Sequence, residues 1–412
     1  MYPVTSWQRT TSLRAVEGPW ISILKAYEHL LNEEGYSHES FLHKTGFVIG
    51  FSRWLHRKRI EMPQVTLSVG QHFLRDRKPP RSGDPTTLKH FLTWMHGKGL
   101  ISAQALQPCE RSEVDALIDE YSDYLLSERG LASTSRVVYA SIAHRFLTRT
   151  CARGRSDLKA LTAQMIRDFA MHEARKFRTS KAASLLTSVV RSFLRFVHYR
   201  GYIDRSLVAA VPAVAHWAMA PIPRALPLKD VRRVLAHGSS RRTPCGLRDR
   251  AILLTLARLG LRAREVMLIE LDDIDWVNGC IHVCGKGRQE RPLPLPHDVG
   301  KAIATYLRDG RPASSCRRVF LRARAPWRGV AISSSISEIV ARALKRAQVT
   351  SATQGAHQFR HSLATDMLRR GASLTEIGQV MRHRDPNTTR LYAKVDLDAL
   401  REVALPWPGR PL

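Results

Sequence analysis

Four prolines in a short stretch divide this chain into two parts. They lie within residues 211–227, at Pro212, Pro221, Pro223 and Pro227. Proline lacks a backbone N–H and fixes its own φ angle, so this density prevents a helix and favours a semi-extended connector. Since 412 residues are enough for two or three domains, we expect residues 211–227 to be a linker.

The part before the linker has the periodicity of helices. Apolar residues recur at helical spacing through residues 20–105 and again through residues 113–205, as in Tyr121, Tyr124 and Leu125. We therefore predict a helical N-terminal extension over residues 1–105 and a second helical domain over residues 110–210.

The two helical stretches also resemble each other. The sequence LLNEEG at residues 30–35 recurs as LLSERG at residues 125–130. One interpretation is an internal duplication. The other is chance similarity, because amphipathic helical bundles share the same period in general. The sequence leaves both interpretations open.

The part after the linker mixes helices with a hairpin. Helices are predicted from about residue 229 and over residues 247–259, the second ended by Gly260. Two β-like segments, residues 279–284 and 291–295, flank a Gly-Lys-Gly turn and indicate a hairpin. The predicted fold class is mainly α, with a small antiparallel β-sheet in the C-terminal domain.

Two helix starts are predicted near the C-terminus. Residues 373–376, Ser-Leu-Thr-Glu, form a capping-box sequence. Asp385 and Pro386 read as the N-cap and first-turn proline of a further helix, which carries Tyr392.

Composition narrows the class of partner. The chain has 65 Lys plus Arg against 36 Asp plus Glu, a formal charge of +29, so we expect a polyanion to bind it.

Composition also excludes several classes of protein. A hydrophobic content of 44% excludes a chain that is disordered along its whole length. No apolar run approaches the roughly 18 residues of a membrane span, and six cysteines are too sparse for a disulfide scaffold. We expect a protein of the cytoplasm or nucleoid and no membrane partner.

Several polar residues stand where the packing of a globular fold does not require them. They are Arg262, Lys286, His357, Arg360, His383 and Tyr392. His357 and Arg360 are three residues apart, so on a helix both contact one anion from the same face. Arginine suits a phosphate because its planar fork donates two parallel hydrogen bonds.

In this order the six residues resemble the signature of the tyrosine recombinase, or phage integrase, family. Residues 260–265 resemble the family's first arginine box, and residues 285–287 its lysine hairpin. The resemblance covers residues 224–400 as the catalytic domain and 113–205 as the helical core-binding domain. The sequence departs from the family at Arg382, where the family usually has glycine.

The resemblance implies a role for each residue. Tyr392 is the nucleophile, while Arg262, Arg360 and His383 stabilise negative charge at the phosphate. His357 takes the tyrosine proton, and Lys286 protonates the departing 5′ oxygen. The implied product is a 3′-phosphotyrosyl link, formed without metal, ATP or another cofactor, in a catalytic domain over residues 228–400 followed by a tail over residues 401–412.

The resemblance also implies partners. They are double-stranded DNA, three further copies of the chain in a homotetramer that exchanges strands pairwise, and accessory DNA-bending or sister recombinase proteins. The N-terminal extension exceeds the family's two-domain plan, which indicates the integrase or transposase of a mobile element with a second DNA-binding module. The tail either docks on a neighbouring protomer or folds back.

Other functions compete with this interpretation. A non-catalytic DNA-binding regulator is one, since residues 364–381 have the pattern of a helix-turn-helix. A metal-dependent nuclease or transposase is another, with Asp272, Asp273 and Asp275 as ligands; the same residues also suit turns and caps. Cys280, His282 and Cys284 alternate along one predicted strand and suggest either zinc or ordinary strand packing. A type IB topoisomerase would share the chemistry but not the site preference.

Overall fold

The structure is a computed structural model of the 412-residue chain. It describes residues 20–77, 81–106, 112–151, 155–177, 179–214, 225–239, 243–284, 290–351, 353–383 and 385–395. The side chains of residues 156, 284, 290 and 291 are not part of this description. The chain forms two compact units, one of Met1–Leu55 with Met219–Leu412 and one of His56–Ala218. The domain bounds given above stay a prediction.

The part before the linker is helical, as predicted. In chain order its helices are α1 (Trp20–Glu33), α2 (His38–Arg57), α3 (Leu67–Asp76), α4 (Asp84–Gly97), α5 (Glu113–Ser127), α6 (Ser133–Thr150), α7 (Arg155–Leu158), α8 (Ala163–Ala174) and α9 (Ser180–Tyr199). Hydroxyl caps begin several of them: the side chain of Thr66 accepts from the backbone of Val69, and that of Ser112 from Asp115.

Aromatic side chains fill the core of the unit His56–Ala218. Tyr121 on α5 packs edge-on against Phe193 on α9, with ring centroids 5.2 Å apart. Phe146 on α6 packs edge-on against Phe169 on α8 at 5.0 Å. These contacts join the helices α5, α6, α8 and α9 around one apolar centre.

The two stretches that resemble each other share an order of helices. The four helices α1–α4 correspond in order to α5, α6, α8 and α9. In both stretches a glycine with positive φ follows the first helix, Gly35 and Gly130, and another follows the fourth, Gly99 and Gly201. Chance similarity between two bundles does not require these matched glycines, so they support the interpretation as a duplication, which stays a prediction.

The part after the linker contains helices and a small antiparallel sheet. Its helices are α10 (Leu228–His237), α11 (Pro244–Leu259), α12 (Ala263–Leu268), α13 (His297–Asp309), α14 (Ser333–Arg346), α15 (His357–Arg369), α16 (Leu374–Val380) and α17 (Asn387–Arg390), followed by a 3₁₀ helix over Leu391–Val395. The predicted capping box is confirmed, because Ser373 and the carboxylate of Glu376 hydrogen-bond each other's backbone. Tyr392 lies in the 3₁₀ helix rather than in the preceding α-helix.

The predicted hairpin is confirmed. Strand β2 (Cys280–Cys284) pairs antiparallel with β3 (Glu290–Pro294), with Ile281 opposite Leu293. A short strand that we did not predict, β1 (Ile274–Asp275), pairs with the other edge of β2. The turn that carries Lys286, residues 285–289, lies outside the described residues.

The three aspartates considered as metal ligands have structural roles. Asp273 accepts the backbone N–H of Glu270 at 2.8 Å, and Asp275 accepts those of Val277 and Asn278 at 3.0 and 2.9 Å. Asp272 pairs with the guanidinium of Arg317. The interpretation as turns and caps is confirmed for Asp273 and Asp275, whereas Asp272 forms an ion pair.

The described residues contain neither a membrane-spanning helix nor a group of metal-binding side chains. No helix in the described part of the chain is long and apolar enough to cross a bilayer. Within the same ranges no three His, Cys, Asp or Glu side chains are grouped as metal ligands would be. The side chain of Cys284, one of the three residues considered for zinc, is outside the description.

Helix α11 is the centre of the C-terminal core. It is buried along nearly its whole length, including Ile252, Leu256 and Leu259. A helix that is buried on most of its sides must be enclosed by other elements, and α13 and α15 pack on it. It ends at Gly260, whose φ of +57° is the left-handed conformation that glycine adopts at helix ends.

The end of α1 contacts the C-terminal part of the chain within one unit. The backbone N–H of Trp327 donates to the carbonyl of Glu34 at 3.0 Å, and Arg328 pairs with the Glu34 carboxylate. The Trp327 ring lies directly over Gly35, where a Cβ atom would be 2.3 Å from it. Glycine is therefore required at this contact both for its φ of +75° and for its lack of a side chain.

Candidate active site

Arg360 is the most buried cation of the candidate site. Its residue exposure is 1%. The guanidinium donates to the carbonyl of Gly260 at 2.6 Å and to that of Met381. These carbonyls end helices α11 and α16, where unsatisfied C=O groups carry partial negative charge. Backbone dipoles thus stabilise the cation, and its charge stays available to an anion.

Arg262 lies where α11 gives way to α12. It is the N-cap residue of α12, and its side chain is about one-third exposed. Its Nη1 donates to Oε1 of the buried Glu265 at 2.6 Å, and its backbone N–H donates to Oε2 at 2.8 Å. The short turn after Gly260 therefore fixes Arg262 close to the carbonyl that binds Arg360.

Tyr392 is enclosed by the C-terminal helices. It is 2% exposed and packs with Ala364, Ile377 and Met381. Burial raises the pKa of its phenol, while Arg360 and Arg262 act in the opposite direction. At neutral pH the hydroxyl is therefore protonated, and the two arginines reduce the cost of forming the phenolate.

The hydroxyl of Tyr392 contacts His361. Nδ1 of His361 lies 2.9 Å from the Tyr392 oxygen. The pKa of His361 is lowered to about 4 by burial, by His357 and by Arg360, so the ring is neutral at physiological pH. A neutral imidazole has one nitrogen with a free lone pair, which in one tautomer is the Nδ1 that faces the phenol.

His357 contacts His361 on α15. Its ring meets that of His361 edge-on, with centroids 4.7 Å apart. The two residues are four apart on α15 and therefore share a helical face. The structure brings His357 into the cluster, but the contact with the tyrosine hydroxyl is made by His361.

His383 covers the other side of the phenol. Its ring is parallel to that of Tyr392, with centroids 6.3 Å apart. Nδ1 lies 2.7 Å from the hydroxyl of Thr389, which is buried. Burial, together with Arg360 and Arg262, lowers the pKa of His383 to about 4. The ring is therefore neutral and offers a polar contact beside the arginines.

The structure thus brings together five of the six residues predicted from the sequence, and the sixth, Lys286, lies outside the described residues. Sequence reasoning missed three others: His361, Glu265 and Thr389. His361 had a signal, since it is four residues after His357 and next to Arg360. Glu265 had one as well, since a glutamate at the third position of a helix can accept the backbone N–H of the N-cap residue, here Arg262. Thr389 had none, because its partner is recognised only in the folded chain.

Family models match both parts of the chain. The phage integrase family model matches residues 224–398, and the model of the phage integrase N-terminal SAM-like domain matches residues 118–201.

Curated relatives match over most of their length. A Sinorhizobium fredii protein named as an integrase/recombinase, y4rA, is 43% identical over 398 residues, which is 96% of this chain and 96% of the relative. The tyrosine recombinase XerC of Oceanobacillus iheyensis is 28% identical over 300 residues, covering 71% of this chain and 95% of XerC.

A solved structure has the same fold. XerH recombinase bound to a palindromic difH substrate, in a post-cleavage complex, aligns with a TM-score of 0.54 and 18% identity, over 76% of this chain and 93% of that one. The geometry of the site, the family models and the relatives agree, and the chain belongs to the phage integrase family of tyrosine recombinases.

Proposed function

We propose that this protein breaks and rejoins DNA strands at a specific site through a covalent link between Tyr392 and a 3′ phosphate. Membership of the phage integrase family supports site-specific recombination as the activity. The observation that carries the residue assignment is the hydroxyl of Tyr392, which lies 2.9 Å from a neutral imidazole and within the field of two guanidiniums.

The reaction exchanges one phosphate ester for another. The phenolic oxygen of Tyr392 bonds to phosphorus, and the bond from phosphorus to the 5′ oxygen breaks. The phenolic proton passes to His361, whose burial keeps it neutral and able to accept. The departing 5′ oxygen takes a proton from Lys286, a role that rests on the family resemblance. Rejoining is the reverse, with a 5′ hydroxyl as nucleophile.

Arg262 and Arg360 have the charge that the transition state requires. Negative charge accumulates on the non-bridging oxygens as the phosphorus becomes five-coordinate, and fixed cations stabilise it without reorganising. The pKa of Arg360 is lowered to about 10 by burial and by Arg262, so the guanidinium remains charged at neutral pH. His383 supplies a further polar contact.

The phenol must become accessible before it reacts. In the structure Tyr392 is buried, so the segment Leu391–Val395 has to move for a phosphate to approach the hydroxyl. A 3₁₀ helix is a short and weakly stabilised element, which suits a segment that changes position.

The unit His56–Ala218, here called the helical unit, supplies a second basic surface for DNA. A cavity of about 310 Å³ between α5, α6 and α9 is lined by three arginines, Arg129, Arg191 and Arg195, and by no acidic residue. With a formal charge of +29 on the whole chain, cations in both units support binding of a duplex through its phosphates.

Membership of the family supports a proposal for the oligomeric state of the protein and for its biological role. We infer a homotetramer on two DNA sites, with accessory DNA-bending or sister recombinase proteins, acting at the nucleoid. The name integrase/recombinase of the Sinorhizobium fredii relative supports integration or transposition of a mobile element. The N-terminal extension as a second DNA-binding module is part of the same proposal.

Covalent trapping tests the function. Duplexes selected from a random pool for tight binding are nicked just downstream of each candidate cleavage position, so that the short fragment with the new 5′ hydroxyl diffuses away after attack. We expect a covalent protein–DNA adduct that survives denaturation, forms equally in EDTA, and is absent from Tyr392→Phe. A folded wild type that binds DNA but forms no adduct would contradict the proposal. Cleavage that EDTA abolishes would indicate a metal-dependent nuclease instead.

A further inference from the structure

The residue that follows helix α16 has a backbone conformation that usually selects glycine. Arg382 has a φ of +53°. Its N–H donates to the carbonyl of Gln379 at 3.0 Å, and the N–H of His383 donates to that of Gly378 at 2.9 Å. These two bonds are the Schellman arrangement of a helix end, in which the left-handed residue is most often glycine. An arginine here has a steric cost that its side chain must offset.

The side chain of Arg382 points into the protein. It is 8% exposed, and its Nη2 lies 3.1 Å from Oε2 of Glu265, which is 6% exposed. Its Nη1 donates to the carbonyl of Val380 at 3.1 Å. The left-handed turn therefore places a buried guanidinium from the end of α16 against a buried carboxylate at the start of α12.

Glu265 is shared between two arginines. Its Oε2 accepts both the backbone N–H of Arg262 and the guanidinium of Arg382, while its Oε1 accepts Nη1 of Arg262. Burial raises the pKa of Glu265, but the hydrogen bonds from Arg262 and the charge of Arg382 outweigh it, so the carboxylate is ionised. One negative charge thus lies between two guanidiniums, with Arg360 beside them on backbone carbonyls.

We propose that Arg382 is a positioning residue that acts on Arg262 through Glu265. Because Arg382 offsets part of the negative charge of Glu265, that carboxylate neutralises less of the positive charge of Arg262. More of the Arg262 charge is then available to a phosphate. Without Arg382, the carboxylate pairs with Arg262 alone, neutralises it and holds its fork away from the substrate. The inference rests on the proposed function, because the phosphate in question is the one that Tyr392 attacks.

The first experiment replaces Arg382 by glycine. Arg382→Gly suits the left-handed φ, so we expect the variant to fold. We expect its single-turnover rate of adduct formation to fall about tenfold, with DNA affinity within about twofold of wild type, since the charge of Arg262 matters most in the transition state. Gln348→Gly is the matched control, because Gln348 has the same φ of +53° and an exposed side chain. Its rate should equal that of wild type.

A double-mutant cycle separates action through Glu265 from a direct or purely structural effect. In a Glu265→Gln background, Arg382→Gly should change the rate by less than about twofold, because the carboxylate charge that Arg382 offsets is gone. Arg382→Lys keeps the charge and should recover part of the rate. If Arg382→Gly does not fold, Arg382→Lys replaces it in the cycle. Its rate of adduct formation should then lie below that of wild type when Glu265 is present. In the Glu265→Gln background, Arg382→Lys should leave the rate unchanged.

Three results have distinct meanings. Adduct formation at the wild-type rate by folded Arg382→Gly would overturn the proposal. Equal losses with and without the Glu265 carboxylate would also overturn it, by showing that Arg382 acts independently. A wild-type protein that forms no adduct would contradict the proposed function rather than the role of Arg382.

Discussion

At the scale of single residues, the site keeps two histidines neutral. His361 and His383 each have a pKa lowered to about 4, mainly by burial and then by neighbouring cationic and imidazole groups. In the proposed reaction a neutral ring at His361 accepts the proton of the tyrosine, whereas a protonated ring would not. The burial that keeps both rings neutral also gives folding a pH dependence.

Stability should fall as the solution becomes acidic. The unfolded chain binds a proton at each histidine below about pH 6.5, but the folded chain does so only near pH 4. Between pH 6.5 and pH 4 the unfolded state binds more protons than the folded state, so the free energy of unfolding decreases as the pH falls. Above about pH 6.5 the histidines' contribution to stability is fully present. Urea unfolding of wild type and His361→Gln at about pH 7.5 and about pH 5 measures this contribution.

Comparing wild type with His361→Gln isolates the contribution of the His361 ring. We expect wild type to lose more stability between the two pH values than His361→Gln does. His237→Gln, at an exposed position, should behave as wild type. Equal losses in wild type and His361→Gln would show that His361 does not titrate differently in the two states.

At the scale of elements, the ends of helices build the site. The C-terminus of α11 and that of α16 supply the carbonyls that hold Arg360, and the start of α12 supplies Arg262. Gly260 is critical at this junction, because it combines a φ of +57° with close contact to Met381 and Leu363. Each helix end thus does two things: it terminates the helix and it positions a cation.

Gly260→Ala should damage both stability and chemistry. A Cβ atom at Gly260 would lie 3.0 Å from Cε of Met381 and 3.1 Å from Cδ2 of Leu363. We expect a loss of roughly 1–2 kcal/mol from the left-handed backbone alone, more from the contacts, and a rate of adduct formation at least tenfold lower because the carbonyl that binds Arg360 moves. Thermal unfolding and single-turnover cleavage measure the two effects.

The matched control is another left-handed glycine. Gly279 has a φ of +63° and open space where a Cβ would go. Gly279→Ala should show the backbone cost without the loss of cleavage. If both variants cleave at the same rate, the close packing at Gly260 does not position Arg360.

At the scale of the whole molecule, helix α1 and most of α2 belong to the same compact unit as the candidate site. The contact at the end of α1 consists of Glu34, Gly35, Trp327 and Arg328. The contact joins residues 294 positions apart in the sequence.

Gly35→Ala should release this contact. The new Cβ would overlap the Trp327 ring at 2.3 Å, and the φ of +75° adds strain. We expect faster limited proteolysis within residues 20–55 and a change in Trp327 fluorescence, since the indole becomes exposed. Gly130→Ala is the control, because Gly130 has a φ of +58° but no atom within 4 Å of its Cβ position. Proteolysis of Gly35→Ala at the wild-type rate would show that the contact does not hold α1 in place.

The charge of the whole chain predicts steep salt dependence of DNA binding. The logarithm of affinity should fall linearly with the logarithm of salt concentration, by about 0.9 for each phosphate contacted. Arg195→Ala, in the basic cavity of the helical unit, should reduce that slope by about one. Arg155→Ala is the control, because Arg155 already pairs with Glu120 at 2.6 Å. Equal slopes for all three proteins would exclude Arg195 from the DNA-binding surface.

Much of the fold was readable from the sequence because its signals are local. Apolar periodicity predicted the helices of both parts, Gly260 the end of α11, and Ser373 with Glu376 the start of α16. Alternation around the Gly-Lys-Gly turn predicted the hairpin. Strand β1 was missed because two residues are too few to show an alternation.

The order of Arg262, Lys286, His357, Arg360, His383 and Tyr392 along the chain indicated the family, and the family implied the chemistry. The order did not reveal which histidine contacts the tyrosine, nor that Glu265 is shared with Arg382. Those contacts join residues 31 and 117 positions apart. Their geometry depends on how α15 packs against the 3₁₀ helix and how the end of α16 packs against the start of α12. The sequence determined which groups are present, whereas tertiary packing decided their distances, their burial and therefore their protonation states.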